Sequence, residues 1–237
     1  MEQYIDMHCH ILPGVDDGAS SVEEMEKMLL LAYKEGIRCI IATPHHHPKR
    51  GHEKPELLKK RLKLARIAAK KIDENFRVYL GTEIFFGQDI PEKILKGEVL
   101  KMNNREVVLL EFSPSDEFDY IYQGIQQVQA AGTEVILAHC ERYQCLTDDF
   151  ELVEQLHKMG TLFQINANSI TNKRTRKFIR KLMDADYVFG VGTDAHDSRV
   201  RPPKIQEAAQ YVTKKYGKDY TRRIFFSNAA SLLRKTQ

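Results

Sequence analysis

Residues 37–47, IRCIIATPHHH, set the terms for the fold. A β-prone apolar run stops at Thr43-Pro44 and hands over at once to histidine. The run is apolar on nearly every side chain, as in a parallel strand covered by helices on both faces. His45 follows its C-terminal end. The same arrangement recurs along the chain. Strands are expected near 3–8 (QYIDMH), 77–84 (RVYLGTEI), 107–112 (VVLLEF), 134–139 (EVILAH), 161–166 (TLFQIN) and 187–193 (YVFGVGT). His8 ends the first, with His10 just beyond it. Glu83 closes the third, Glu111 the fourth and His139 the fifth. The sixth ends at Asn166, and the seventh runs into Asp194 and His196.

Helical patterns separate these runs. Ser21 stands three residues before Glu24 in a capping-box arrangement, followed by a stripe of Met25, Met28, Leu29 and Ala32 and a stop at Gly36. Residues 53–75 place Leu58, Leu62, Ala65, Ala69 and Ile72 at helical spacing, leaving a basic outer face. That face is either simply solvated or a docking patch for an acidic partner. Further helices are expected around 117–131, 149–159, 173–185, 203–216 and 228–235. No linker, repeat or low-complexity tract divides the chain, so residues 1–237 read as a single domain. Seven β/α units in one domain predict an α/β fold, a distorted (β/α)7 TIM-like barrel, related to the eight-unit form of about 250 residues. An open doubly wound sheet is the alternative, but neither GxGxxG nor a P-loop follows any strand.

Composition narrows the function classes. Hydrophobic residues make up 42% and charged residues 29%, an ordinary soluble balance. No apolar run approaches the roughly 18–20 residues that cross a bilayer, and MEQYIDMH lacks the layout of a signal peptide, so a cytoplasmic protein without membrane insertion is expected. A net charge of +3 is too small to imply nucleic-acid binding. Cys9, Cys39, Cys140 and Cys145 form no CxxC pair and read as reduced thiols.

In a parallel barrel the C-terminal strand ends converge on one mouth, where barrel enzymes carry their active sites. Six of the seven expected strands deliver His, Asp or Glu there. His8 and His10 lie at i and i+2, so an extended backbone points both to one face, and Asp194 and His196 repeat the device. This nitrogen and oxygen donor set, with no thiolate, suits manganese, iron or zinc in a catalytic site. Asp17, in the loop VDDG, is either a ligand or ordinary turn chemistry. Asp17, Glu83, Glu111 and Asp194 would bring charge −4 into one cleft; one divalent ion leaves −2, three give +2, so an anionic substrate favours more than one metal. His46, His47 and His52 read as surface or supporting residues, and His157 as a plain helix residue. Asp6 is expected either to steady a ligand histidine or to form a strand-end salt bridge.

The ordered set HCHILPGVDDGA, ATPHH, GTEI, LEF, AHCERY, INANSI and GTDAH with RPP resembles the polymerase-and-histidinol-phosphatase (PHP) superfamily of metal-dependent phosphoesterases. Within it, the chain is most similar to the manganese-dependent bacterial protein tyrosine phosphatases of capsule and exopolysaccharide systems. The likeness extends from the first strand to SNAASLL at 227–233. It implies the PHP fold and a centre of three divalent ions, one held by His8, His10, Glu83 and Asp194, a second by Glu83, Glu111 and His139, and a third by Asp17, His45 and His196. It also implies that Arg142 and Arg201 bind the substrate phosphate. Cys140 departs from the family, which commonly has proline there.

The expected reaction is hydrolysis of phosphotyrosine by metal-activated hydroxide, on a protein such as a bacterial tyrosine kinase. A small-molecule phosphatase, for example one for histidinol phosphate, shares the same metal chemistry, and a non-catalytic metal-stabilised interaction module is a further alternative. A cysteine nucleophile is disfavoured. Cysteine phosphatases place arginine six residues after the thiol, whereas here those positions hold Val15, His45, Leu146 and Glu151.

Overall fold

The computed structural model describes residues 3–233. Its strands are β1 (Tyr4–Cys9), β2 (Ile37–Ala42), β3 (His45–His46), β4 (Arg77–Leu80), β5 (Glu83–Phe85), β6 (Val107–Glu111), β7 (Glu134–Leu137), β8 (Leu162–Asn166) and β9 (Val188–Gly192). Every pairing between them is parallel. One sheet runs β1-β2-β4 and the other β3-β5-β6-β7-β8-β9. Two expected strands are therefore each broken in two. Pro44 has no N–H to give the ladder, so β2 ends before it and resumes as β3. Its partner breaks at Gly81-Thr82. Gly81 N donates to Ala42 O (2.8 Å) and Glu83 N to Pro44 O (3.1 Å), which carries the pairing across the break.

With β3 continuing β2 and β5 continuing β4, the sheets form one seven-strand succession. Its ends meet at the mouth. Asp194 N donates to His8 O (2.8 Å) and His10 N to Ala195 O (2.9 Å), beside a parallel bridge between Cys9 and Ala195. Below this seam, buried Asp6 accepts from His8 N (3.2 Å), Thr193 N (2.9 Å) and the Thr193 hydroxyl (2.5 Å). Asp6 thus steadies His8 through its backbone N–H rather than its ring, forms no salt bridge among the described residues, and clasps the first strand to the last. Burial pushes its carboxyl up to about 6, against the lowering effect of these bonds.

The helices are α1 (Val22–Lys34), α2 (Pro55–Ile72), α3 (Ile90–Leu95), α4 (Phe118–Ala130), α5 (Gln144–Asp148), α6 (Phe150–Lys158), α7 (Ala167–Thr171), α8 (Arg176–Asp184), α9 (Gln206–Arg222) and α10 (Asn228–Ser231). Ser21 caps α1 through its hydroxyl, accepting from Glu24 N (3.2 Å). Glu24 does not complete the box. Its carboxylate instead accepts from Ser198 N (2.7 Å), tying α1 to the loop after β9. The expected stripe on α1 is buried, as are Leu58, Leu62, Ala65 and Ala69 on α2. α9 runs past the expected end at 216, but Gly217 (φ 86°) breaks it there. Residues 234 and 235 of the last expected helix lie outside the described residues. The short helices α3, α5 and α7 had no periodic signature, because a single turn is too short to carry one.

Ile5, Met7, Ile41, Val107, Leu109 and Ile136 fill the barrel interior, joined by Ala229 and Leu232 from the C-terminal segment. A larger cluster lies between strands and helices. The seam depends on a close approach in β9. A Cβ on Gly192 would lie 2.4 Å from the His8 Cβ and 3.2 Å from Gln164 Nε2. Gly192→Ala is expected to destabilise the protein by about 1–3 kcal/mol through this overpacking. Thermal unfolding of the variant against wild type checks it.

Candidate metal centre

Each functional side chain sits where a strand ends or begins. His8 lies at the end of β1, His10 just after it and Glu111 at the end of β6. Glu83 opens β5 rather than closing an unbroken strand. His139 and Asp194 follow β7 and β9 with left-handed backbone (φ 31° and 52°), which turns their side chains inward from the strand direction. His45 opens β3, and His196 stands two residues after Asp194. All are buried; Asp17, in the 11–20 loop, is half-exposed.

Glu83 is the hub. Its Oε1 lies 3.2 Å from His8 Nε2 and 2.8 Å from His139 Nε2. Its Oε2 lies 3.2 Å from His10 Nε2 and 2.9 Å from His45 Nδ1. Glu111 Oε1 is 3.5 Å from His139 Nε2. Asp194 Oδ1 lies 3.7 Å from His8 Nε2, 3.4 Å from His10 Nε2 and 3.6 Å from His196 Nδ1. Asp17 Oδ1 is 3.3 Å from His45 Nε2 and 3.6 Å from His196 Nε2. Three groups have donor atoms mutually close enough to share an ion: His8, His10 and Asp194; His45, Glu83 and Glu111; and His10, Asp17, His45 and His196. Of the nominated metal residues only His139 falls in none of these groups; it joins the cluster through Glu83 and Glu111, while His10 and His45 each belong to two groups.

Hydrogen bonds on the far side of the rings decide what faces inward. His8 Nδ1 meets Gln164 Oε1 (3.0 Å), an oxygen that also accepts from His139 N (2.8 Å). His10 Nδ1 meets Asp16 Oδ2 (2.9 Å), and His196 Nδ1 meets the Asp194 carbonyl (2.9 Å). Facing acceptors, these Nδ1 atoms carry protons, so the Nε2 atoms are the ones turned inward as potential metal ligands. The Nε2 atoms of His8 and His10 are then only 3.2 Å apart. Burial pushes the His10 ring down, but Asp16, Asp194 and Glu83 hold it well above its usual range, so a cation placed between these nitrogens would displace a proton. Both His45 nitrogens, Glu83 Oε2, Glu111 Oε2 and His196 Nε2 are buried without an aligned hydrogen bond. Each such atom costs about 1–3 kcal/mol if left unmatched. The donor set therefore fits divalent metal.

Burial alone would raise the carboxyls, yet His8, His10 and Arg142 hold Asp194 well below the usual range. His8, His10, His139 and His45 do the same for Glu83. His196 is pushed down to about 3, first by burial and then by His10. Both acids are anionic and His196 is neutral, as metal ligation requires.

At the rim, Arg142 Nη2 pairs with Asp194 Oδ2, and Arg201 Nη2 lies 2.8 Å from the same oxygen. Both side chains are partly exposed, so each guanidinium has one side at the cluster and one toward solvent. Buried Cys140 is a free thiol beside this turn; Cys140–Arg142 forms a single 3₁₀ turn that aims Arg142 at Asp194. Burial pushes the Cys9 and Cys140 thiols well up and Cys39 to about 12, which leaves them protonated and non-nucleophilic.

Several contributors were not legible beforehand. Asp16 shapes the VDDG turn, accepting from Gly18 N (3.0 Å), and its other oxygen orients His10 and accepts from His45 N (3.0 Å). Gln164 had a usable signal, being two residues before Asn166 and so on the same strand face. Asn166 in turn donates to Asp194 Oδ2 (3.0 Å). Arg50 Nη1 reaches Glu111 Oε1 (3.3 Å) from a loop without any pattern. His47 is buried edge-on to Phe85 and to His45 (6.1 Å between ring centroids), beside the cluster, and His157 stacks on Tyr187.

Together, fold and site define a TIM-like barrel hydrolase of the metal-dependent kind. A family model described as "Capsular polysaccharide synthesis, CpsB/CapC" matches residues 4–234. Tyrosine-protein phosphatase CpsB of Streptococcus pneumoniae is 30% identical over 237 residues, 97% of this chain and 98% of that protein. Tyrosine-protein phosphatase YwqE of Bacillus subtilis is 31% identical over 240 residues, covering 97% and 91%. A solved structure from work on YwqE and CpsB, "unique metal-dependent tyrosine phosphatases", superposes with TM-score 0.89 at 30% identity, covering 97% of this chain and 94% of that one. An organophosphorus hydrolase from Deinococcus radiodurans, at TM-score 0.64 and 10% identity, shares the fold alone. The chain belongs to the CpsB/CapC family.

Gln164→Leu or Asp16→Ala is expected to weaken metal binding roughly 10–100-fold by freeing His8 or His10 to rotate. Titration of the metal-free variants with Mn2+ measures it.

Proposed function

We propose that this protein is a metal-dependent protein tyrosine phosphatase that dephosphorylates a bacterial tyrosine kinase of a capsule or exopolysaccharide system in the cytoplasm. The observation that carries the metal reading is the convergence of four imidazoles on buried Glu83, with inward ring nitrogens and orphaned carboxylate oxygens. The specificity for tyrosine rests on the kinship with CpsB and YwqE, whose names state that activity.

His8, His10, Glu83 and Asp194 would hold one ion, Glu83, Glu111 and His139 a second, and Asp17, His45 and His196 a third. Manganese suits this hard, thiolate-free set, with iron and zinc as competitors. When bound, such ions supply Lewis acidity, lowering the pKa of water and neutralising phosphoryl charge. The chain's own residues do the rest. Arg142 and Arg201 hold the phosphate oxygens with planar, multiply donating guanidinium groups. Gln164 and Asp16 keep the ligand imidazoles in one tautomer, so no ring must rotate during turnover. A phenolate leaving group, with a pKa of about 10, needs less proton assistance than an alkoxide.

Purified protein reconstituted with Mn2+ is expected to hydrolyse a phosphotyrosine peptide and to lose that activity in EDTA. Preference for histidinol phosphate by orders of magnitude would move the assignment to a small-molecule phosphatase. A metal-loaded sample that hydrolyses no phosphomonoester would favour the interaction module. His8→Ala and Asp194→Ala should each lower kcat/KM by about 100-fold or more with the circular dichroism spectrum retained. Full activity in either variant would remove that residue from the centre.

A further inference from the structure

Residues 167–183 contain Lys173, Arg174, Arg176, Lys177, Arg180 and Lys181 but no aspartate or glutamate. All six are exposed, and among the described residues none of the first four forms an ion pair. The crowding opposes local electrostatics. α8 begins at Arg176 with two cations and no acid in its first turn, where the positive end of the helix dipole favours anions. Thr175 does not cap it; its hydroxyl donates to Ser169 O (2.7 Å), folding the connection back onto α7. A local rule broken with no internal compensation marks a place shaped by something outside the chain.

The stretch begins at the rim of the metal centre. α7 starts directly after β8, at the mouth, and its Asn168 lines a cleft of about 200 Å3 with Arg142, Asp194, Arg199, Arg201 and Lys204. The far wall is a rigid loop. Asp197 accepts from the backbone of Arg199 (2.6 Å), Val200 (2.5 Å) and Arg201 (3.1 Å), while His196 N donates to Arg201 O (3.0 Å). This pinned turn holds Val200 out at 86% exposure beside Arg199. A loop so tightly tied has no reason of its own to display an apolar side chain.

We propose that the 172–177 connection, with Arg199 and Lys204, forms a cationic strip that binds acidic side chains flanking the phosphotyrosine, while Val200 packs on the same peptide. The proposal rests on the phosphatase reading above and narrows its substrate to acidic peptide segments. Charge complementarity and continuity with the phosphate-binding rim choose this occupant. The basic face of α2 is a different surface: the cleft by Arg66 and Lys70 is lined by Arg77 and Val78 at the N-terminal start of β4, at the end of that strand away from the mouth.

The test uses the Mn2+-loaded full chain with two phosphotyrosine peptides, one flanked by glutamates and one by alanines, and with p-nitrophenyl phosphate, which has no flanks. The triple variant Lys173→Glu, Arg174→Glu, Lys177→Glu is expected to raise KM for the glutamate peptide about five- to tenfold. KM for the alanine peptide and for p-nitrophenyl phosphate should stay unchanged, and wild-type preference for glutamate flanks should fade at high salt. Equal KM for the two peptides in wild type, or parallel changes for both in the triple variant, would overturn the proposal. Fluorescence anisotropy of the same labelled peptides in EDTA reads binding without turnover. Inactivity on all three substrates with preferential glutamate-peptide binding would therefore strike the phosphatase reading and leave the strip standing. Vesicles containing phosphatidylserine form the last arm. Vesicle binding lost in the triple variant, with peptide KM unaltered, would give the strip to a membrane surface and overturn the proposal.

Discussion

The seam between the first and last strands is the constraint on which the rest depends. Two backbone hydrogen bonds, Asp194 to His8 and His10 to Ala195, join segments separated by nearly the whole chain. Closing so long a loop costs entropy that these two bonds alone do not offset. The Asp6–Thr193 clasp, across 187 positions, and the bare faces of Gly190 and Gly192 make the close approach possible. The residues that form the seam are also the proposed ligands or their neighbours. Barrel closure and assembly of the centre are one event.

That coupling explains how the protein tolerates so much buried charge. Carboxylates such as Glu83 and Asp194 would be costly in an apolar interior if isolated. Here each is met by several imidazoles, and the imidazoles are themselves held by Gln164, Asp16 and the Asp194 carbonyl. Polarity is layered outward: orphaned donor atoms at the centre, orienting amides and carboxylates behind them, and arginines at the rim. Arg142 and Arg201 both lean on Asp194, so the guanidinium groups are positioned by the same carboxylate that contributes to the centre.

The surrounding surface is asymmetric. On the β8–β9 side α7 leads from the mouth into a basic connection whose residues 173–177 form no ion pair among the described residues, and the loop after β9 is pinned by Asp197. On the β3–β6 side Arg50 reaches over Glu111. The centre itself offers the chemistry shared by metal phosphoesterases; the walls around it, which come from βα connections, are where substrates of different size and charge are told apart.

Much of this was legible from the chain alone. Apolar runs without alternation announced parallel strands, and the residue types at their ends named the donors that the fold collects, because both are local properties of a strand and its boundary. His8, His10, Asp194 and His196 were readable in this way. The break at Pro44 was visible as a residue, but not its consequence, the transfer of pairing to a second sheet. Gln164 and Asp16 were readable as a strand residue and a turn residue, yet their work lies in bonds to rings on other segments. Arg50 left no local trace. The sequence by itself determined which donors exist and at which strand ends they stand. Only the tertiary structure decided which ligand atoms face one another, because that depends on cross-strand register and on hydrogen bonds between residues more than a hundred positions apart, as from His8 to Gln164.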